Sequence, residues 1–297
     1  MKFRGHETFT IRKGWLHKGL KHICKNDRVF VDRTVNPMDE FGLGSNMVKS
    51  LRYWLQAVGL TVEENARDGR HQRMTPFGDL VWKNDAYFEE DGTLLLLHYF
   101  LASNKDLATA WYYFFNYYNM VDITQENFLN GIKAYLLAQK EDTQKNQFAD
   151  RVLKDDYDCI IKTYFNNNTK ISPESNMECP LTELGLISMV DKKAKIYTKT
   201  PPKRLNIHPL IVLAVIVNEN KKNHGSNDIK ISNLENDPCN IGRIFNLDSM
   251  AIAIYLDKLQ TLGYIKVNRT AGLDLIKLQK EYDFIQCVTD YYRSIND

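Results

Sequence analysis

The chain has few cysteines, and their placement supports neither a metal site nor a disulfide framework. Five cysteines are spread over 297 residues, and no two of them form a CxxC pair. Zinc ribbons need closely spaced pairs, and disulfide frameworks normally use an even number of cysteines. Scattered free cysteines are typical of a reducing compartment, so we expect a cytoplasmic protein.

Long apolar segments are also missing from the sequence. The longest apolar run, residues 211–217, is far shorter than the roughly 20 residues that a membrane-spanning helix needs. The first residues, MKFRGHETF, contain no apolar stretch of the kind found in signal peptides. These absences predict a soluble protein that does not associate with a membrane.

Known nuclease motifs are absent as well. The sequence has no HNH pattern, no histidine pair with a nearby asparagine and no clear Asp…Glu-x-Lys set. Phosphodiester cleavage needs an activated nucleophile and charge stabilisation, usually from metal ions. The candidate catalytic residues are His6 with Glu7, and His71 among arginines. Neighbouring residues of an extended segment point to opposite sides, which favours packing or hydrogen bonding for His6 and Glu7.

An acidic loop is the remaining candidate for metal chemistry. Four carboxylates there could bind a divalent ion such as Mg²⁺ or Mn²⁺ through oxygen ligands: Asp85, Glu89, Glu90 and Asp91. Their spacing matches no calcium-binding loop. A solvated loop that caps a helix is the alternative interpretation, so the sequence leaves the metal open.

The charges that are present are unevenly distributed. The net charge is only +2, but residues 1–83 contain 15 Lys and Arg against 9 Asp and Glu. Residues 84–170 reverse this balance, with 8 basic against 13 acidic residues. A positive end followed by a negative middle predicts one surface for a polyanion and another for a different partner.

A helix is predicted inside the basic region, within residues 41–76. Ser45 is a favourable N-cap, and Gly59 ends the helix. Apolar residues then recur on one stripe at helical spacing: Met47, Val48, Leu51, Trp54, Leu55 and Val58. The opposite, outward face is predicted to carry hydrogen-bonding side chains: Asn46, Lys49, Ser50, Arg52, Tyr53 and Gln56.

A basic hairpin follows this helix. Asp68-Gly69 between two short extended runs is a strong hairpin signal. A polar-faced helix followed by a basic hairpin is typical of a winged helix-turn-helix, in which the helix enters the major groove and the wing lies along the backbone. The predicted DNA-binding residues are Asn46, Lys49, Arg52, Arg67, Arg70, His71 and Arg73. An ordinary amphipathic helix with a solvated hairpin is the alternative.

The rest of the chain suggests a helical core and further hairpins. Residues 93–120 are apolar and aromatic on every side, which predicts a buried helical middle. Residues 166–173 read as a linker, and the lysine-bearing stretch 191–199 resembles a second wing. A helix over residues 248–262 is predicted to place Met250, Ile254, Leu256, Leu259 and Leu262 inward, before another strand pair.

The predicted fold is therefore mainly α with small β-hairpin wings (α+β). Winged helix-turn-helix units are expected at the N- and C-terminal ends, around the helical middle. The predicted domains are residues 1–90, which bind DNA, residues 91–170, which are helical, and residues 171–297, which are winged-helix-like. The sequence leaves the oligomeric state open.

Several motifs resemble those of a known family. They are GHETF at residues 5–9, followed by Arg12 and GWL, and GLGSNMVKSLRYWL at residues 42–55. The pieces at residues 91–99 and 270–273 are similar too. These motifs resemble the SspB-like family, formerly a domain of unknown function, over most of the chain. Ser45 stands where relatives are expected to have a lysine, and Thr10 where they have a proline, and the first departure weakens the DNA-facing helix.

The resemblance implies the nicking component of a single-stranded DNA phosphorothioation system used against phage. Its partners would be DNA, a cysteine desulfurase, an ATP-dependent sulfur-transfer enzyme and an ATPase, and nicking would let the modifying enzymes reach the backbone. The residues themselves favour a different hypothesis, because no nuclease motif is present. In that second hypothesis the chain is a non-catalytic winged-helix adaptor or regulator that recruits the sulfur-transfer partners.

Overall fold

The chain folds as two compact units. The computed structural model describes residues 1–67, 69–139, 148–165, 178–202, 207–223, 225–270 and 273–296, and separates them into Met1–Thr200 and Pro201–Asp297. The predicted division after residues 90 and 170 is finer than this one and stays a prediction. The turn residue Asp68 and the predicted linker at residues 166–173 lie outside the described residues.

The first unit begins with three helices and a hairpin. They are α1 (Trp15–Lys25), α2 (Pro37–Phe41), α3 (Ser45–Ala57), β1 (Thr61–Ala66) and β2 (Gly69–Met74). The two strands pair antiparallel, with Thr61 opposite Met74. Helix α3 begins at Ser45 after Gly44, and Gly44 gives no side-chain cap, so the prediction of Ser45 as the N-cap is wrong.

Helix α3 is buried on more of its circumference than its sequence predicts. The apolar stripe is buried except for the half-buried Met47, and Ser50 and Tyr53, predicted to face outward, are buried as well. The N-terminal segment packs against Tyr53 on this second side of the helix and also contacts the buried stripe. The Trp54 indole N–H donates to the Phe9 carbonyl at 2.9 Å. At Gly5 a Cβ would come within 2.5 Å of the Tyr53 ring, so only glycine fits there.

A helical core completes most of the first unit. Its helices are α4 (Pro76–Asn84), α5 (Asp91–Ser103), α6 (Thr109–Asn116), α7 (Gln125–Ala138) and α8 (Asp150–Tyr164). Thr75 caps α4 and Thr124 caps α7, each accepting a backbone N–H of the first turn. The aromatic stretch is core, as predicted, over α5 and α6, whose side chains are almost all buried, whereas Tyr117 and Met120 at its end are exposed.

A second hairpin closes the first unit. A 3-10 turn at Pro180–Leu184 leads into β3 (Ile187–Asp191), which pairs antiparallel with β4 (Ile196–Lys199). Strand β4 is fixed to the helical core through Tyr197, whose backbone N–H and C=O both bond to Ile123. The Lys199 ammonium group donates to the carbonyls of Phe114 and Tyr118 and so caps the end of α6.

The second unit has its own helices and a three-stranded sheet. Its elements are α9 (Pro209–Asn223), β5 (Asp228–Lys230), α10 (Ile231–Asn236), α11 (Ile241–Ile244), α12 (Ser249–Thr261), β6 (Ile265–Thr270), β7 (Leu273–Leu278) and α13 (Phe284–Asn296). The strand order is β5-β7-β6, and both pairs are antiparallel. Small antiparallel sheets among many helices confirm the predicted α+β class, whereas the winged-helix interpretation of either end stays a prediction.

Helix α12 corrects one expectation about the second unit. Leu256 and Leu259 are buried as predicted. Met250, Ile254 and Leu262 are instead exposed at 75%, 52% and 57%. The apolar residues of α12 thus lie on more than one side of the helix. They cover a wider part of its surface than the side that packs against the core. Within the described part of the chain, every helix is too short or too polar to cross a bilayer.

Candidate nucleic-acid interface

The outward face of α3 is narrower than its sequence suggests. Asn46 and Lys49 are exposed in its first half, and the Lys49 ammonium lies 3.5 Å from the Asn46 side-chain oxygen. Arg52 is half-buried, and its Nε donates to Glu63 Oε1 of β1 at 2.6 Å. The donors of α3 that are open to a ligand therefore lie in its N-terminal half.

The hairpin arginines are exposed and paired with carboxylates. Arg70 Nη1 lies 3.7 Å from Glu63, and Arg73 Nη1 lies 3.4 Å from Glu64. Both arginine side chains are more than half exposed, at 53% and 54%. Exposed ion pairs contribute little to stability, about 0–1 kcal/mol. A phosphate could therefore replace these carboxylates at low cost, and Arg67 lies exposed beside them near the hairpin turn.

Asp27 anchors the hairpin to the loop after α1. Its backbone carbonyl accepts the Gln72 N–H at 2.7 Å, and its carboxylate accepts His71 Nδ1–H at 2.9 Å and Arg73 Nε–H at 3.3 Å. His71 is only 7% exposed. The ring of His71 thus ties the middle of β2 to the loop after α1, and its catalytic assignment stays a prediction. No local spacing reveals this partner, because Asp27 and His71 are 44 residues apart.

His6 is buried in a pair with Asp156 of α8. The ring is 0% exposed and is stacked beside Trp54. Its Nδ1 accepts the Thr8 N–H at 3.0 Å, so the neutral ring carries its proton on Nε2, which donates to Asp156 Oδ1 at 2.6 Å. Burial raises the pKa of Asp156, while the hydrogen bond from His6 acts in the opposite direction. This geometry ties the N-terminal loop to α8, and the catalytic assignment of His6 stays a prediction.

The loop around His6 contains unusual backbone geometry. Arg4, Glu7 and Thr8 have φ values of 55°, 48° and 68°, a left-handed conformation that side chains with a Cβ disfavour. The Asp156 carboxylate holds this loop by accepting the Arg4 N–H at 2.9 Å as well as the His6 ring. Glu7 is half-buried on this turn. Strained backbone clusters at functional sites, but the buried pair accounts for it here as a structural clasp.

The acidic loop is organised by backbone contacts. The two oxygens of Asp85 accept the N–H groups of Glu89 at 2.9 Å and Glu90 at 3.1 Å. Burial, followed by the negative charges of its acidic neighbours, raises the pKa of Glu90. Among the described residues, no group of three or more His, Cys, Asp or Glu side chains is arranged to hold a metal ion. The described side chains therefore do not fit a ready-made metal centre.

Comparisons with known proteins agree on one family and one fold. Residues 3–292 match the model of the family described as "Protein of unknown function (DUF4007)". A magnesium ion-bound SspB crystal structure is similar with a TM-score of 0.86 and 24% identity, over 100% of this chain and 89% of that one. A second SspB crystal structure has a TM-score of 0.85 at 24% identity, with the same coverage. No curated protein matches the chain. Similarity at this identity shows a common fold.

Proposed function

Because this chain belongs to the DUF4007 family and has the fold of SspB, we propose that it is the DNA-binding component of a phosphorothioation system. The resemblance to the SspB-like family, which the motifs of the sequence predict, is confirmed at the level of family and fold. In this proposal the protein binds DNA and nicks it, so that sulfur can be incorporated into the backbone. Its partners are a cysteine desulfurase, an ATP-dependent sulfur-transfer enzyme and an ATPase.

The observation that carries the proposal is the arrangement of α3 and the β1–β2 hairpin. Asn46 and Lys49 are exposed on the first half of α3, and three exposed arginines follow on the hairpin: Arg67, Arg70 and Arg73. A helix with exposed donors can enter the major groove, while a basic hairpin contacts phosphates beside it. Arg52 and His71 stabilise this surface through their hydrogen bonds, because Arg52 is bonded to Glu63 and His71 to Asp27.

The proposal includes cleavage of one DNA strand by this protein. The residues proposed for it are His6, Glu7 and His71, with Mg²⁺ or Mn²⁺ as the ion and Asp85, Glu89, Glu90 and Asp91 as its candidate ligands. A solved SspB structure is named as magnesium-bound, which motivates the choice of ion. The acidic loop does not form a metal centre by itself, so no cleavage step is assigned to an ion held there.

A second candidate function is a non-catalytic adaptor or regulator. One observation favours it: His6 and His71 are both bound to structural carboxylates and are at most 7% exposed. A general base must reach the proton that it abstracts, and neither ring is open to a ligand in this conformation. In this role the same α3–hairpin surface binds DNA and the sulfur-transfer partners bring the chemistry.

A plasmid-nicking assay separates the two functions. Supercoiled plasmid is incubated with the protein and Mg²⁺ or Mn²⁺, beside the double variant Arg70→Ala/Arg73→Ala. Open-circle product that disappears with the double variant supports the nickase. A clear gel shift with intact plasmid supports the adaptor, and repeating the assay with the partner proteins present then tests for a nickase that depends on them. If the protein gives no gel shift and no open-circle product, both functions are contradicted.

A further inference from the structure

A groove in the first unit combines lysines with aromatic rings. It has a volume of about 770 Å³ and lies between α8, the start of α7 and the β3–β4 hairpin. The residues that matter for its chemistry are Lys154, Lys162 and Lys195, with Tyr157, Phe165 and Tyr197. All of them belong to the unit Met1–Thr200, and none belongs to the α3–hairpin surface.

The rim of the groove carries an excess of positive charge. Lys154 and Lys162 are exposed and lie eight residues apart on α8, which places them about 12 Å apart along the helix axis and about 80° apart around it. Lys195 is exposed on the opposite rim, in the β3–β4 turn. Among the described lining residues, Asp158 has the only carboxylate, and it accepts a hydrogen bond from the Gln125 side chain at 3.2 Å. The groove is thus suited to an anionic chain.

The turn that presents Lys195 is ordered by its own hydrogen bonds. Asp191 Oδ1 accepts the N–H groups of Lys193 at 2.7 Å and Ala194 at 2.9 Å. Lys195 itself has a φ of 53°, which fixes the direction in which β4 departs. A cation on an ordered turn loses less conformational freedom on binding than one on a free tail.

Two half-exposed aromatic rings lie inside the lysine rim. The rings of Phe165 and Tyr197 meet edge to face, with centroids 5.4 Å apart. Two backbone hydrogen bonds to Ile123, of 2.8 and 3.0 Å, hold Tyr197 in place. Ring faces held in this way stack on unpaired bases with little regard to sequence.

We propose that this groove binds a single strand of nucleic acid, with its phosphates on the three lysines and a base against Tyr197. A duplex keeps its base faces stacked inside, so only an unpaired strand can use both the lysines and the ring. An acidic peptide would use the lysines but would gain little from the ring. The inference rests on the proposed function, since a nicked duplex releases a strand end that this groove would hold away from the duplex surface.

The first test compares two triple variants by fluorescence anisotropy. The groove triple variant is Lys154→Ala/Lys162→Ala/Lys195→Ala, and the control triple variant, with the same change in charge, is Lys83→Ala/Lys221→Ala/Lys277→Ala. With a labelled oligothymidylate, the groove variant is expected to bind about tenfold more weakly and to lose about 2 from its salt slope, because each phosphate contact contributes about 0.7. Equal affinity in both variants would overturn the inference.

Variants of Tyr197 test the stacked base. Tyr197→Leu is expected to weaken single-strand binding about tenfold, whereas Tyr197→Phe keeps the ring and the affinity. An iodouracil-substituted oligonucleotide should crosslink under light to the peptide that contains Tyr197. Equal loss in both variants, or a crosslink mapping to another element, would count against the proposed base position. Thermal melting of each variant checks that its fold is intact.

Duplex binding and competition separate this inference from the proposed function. The groove triple variant is expected to bind duplex within about twofold of the control, because the duplex surface is on α3 and the β1–β2 hairpin. If substitution of the hairpin arginines leaves duplex binding intact while the groove variant loses single-strand binding, the assignment of duplex binding to α3 and the hairpin is wrong. The assignment of single-strand binding to the groove is kept in that case. Displacement of the oligonucleotide by poly-glutamate as readily as by unlabelled oligothymidylate would overturn the groove assignment in favour of an acidic peptide.

Discussion

At the residue scale, two carboxylates fix the positions of the two histidines that the sequence suggests as catalytic. Asp156 binds His6 across 150 residues of sequence, and Asp27 binds His71 across 44. Histidine and glutamate in a short motif suggest acid–base chemistry in the sequence, but a distant partner decides whether a ring is buried. The motifs single out these two histidines as candidate site residues. Their carboxylate partners could not be predicted, because no local spacing in the sequence encodes them.

Substitution of Asp156 tests the clasp that holds the N-terminal loop. Asp156→Ala leaves the His6 Nε2–H and the Arg4 N–H without their acceptor, and we expect a loss of about 3 kcal/mol in the free energy of unfolding. Asp156→Asn keeps one acceptor oxygen and should lose about 1 kcal/mol. Urea unfolding at neutral pH measures both. Equal stability of the two variants would show that the hydrogen bonds at Asp156 do not hold the fold.

The same carboxyl predicts a specific pH dependence. Burial raises the pKa of Asp156 above its ordinary value of 3.8, so the folded state binds this proton more tightly than the unfolded chain. The resulting stabilisation is present below pH 3.8 and is lost as the pH rises through the folded-state pKa. The wild-type protein should therefore lose stability relative to Asp156→Asn as pH rises from about 4. A difference that stays constant, or that grows in favour of the wild type, would contradict this sign.

At the element scale, helix α3 and the hairpin after it follow from local sequence patterns. The spacing of Leu51, Trp54 and Leu55 predicts the buried stripe, and Asp68-Gly69 predicts the return of the chain into β2. The width of the exposed face could not be predicted, because Tyr53 is covered by a loop from the start of the chain. Met250 and Ile254 of α12, which the sequence predicts to face inward, are exposed instead, because an apolar residue in a helix does not specify which side packs.

The junction between the hairpin and α4 gives a prediction at this scale. A Cβ at Gly78 would collide with the backbone carbonyl oxygen of Leu60, whereas a Cβ at Gly44 would meet nothing within 4 Å. Gly78→Ala should therefore lower the free energy of unfolding by about 3 kcal/mol, and Gly44→Ala, the matched control, by less than about 1 kcal/mol. Thermal unfolding of both variants measures the difference. Similar melting temperatures would mean that α4 does not pack as closely on Leu60 as described.

At the scale of the whole molecule, charge is arranged by folding as well as by sequence. The excess of basic residues in the first 83 positions predicts a polyanion surface there, and the exposed hairpin arginines lie in that region. The lysine-lined groove could not be found in this way. Lys154 and Lys162 belong to a stretch with more acidic than basic residues, and Lys195 is brought near them by the pairing of β4 with Ile123 and the contact of Tyr197 with Phe165.

The salt dependence of duplex affinity shows whether α3 and the β1–β2 hairpin bind duplex DNA. Duplex affinity is measured as a function of salt for Arg67→Ala/Arg70→Ala/Arg73→Ala and for the control triple variant, Lys83→Ala/Lys221→Ala/Lys277→Ala. Each phosphate contact contributes about 0.9 to the slope of log affinity against log salt. We expect the hairpin variant to lose about 2 to 3 from this slope and at least tenfold in affinity, while the control variant keeps both. Identical slopes and affinities in the two variants would contradict it.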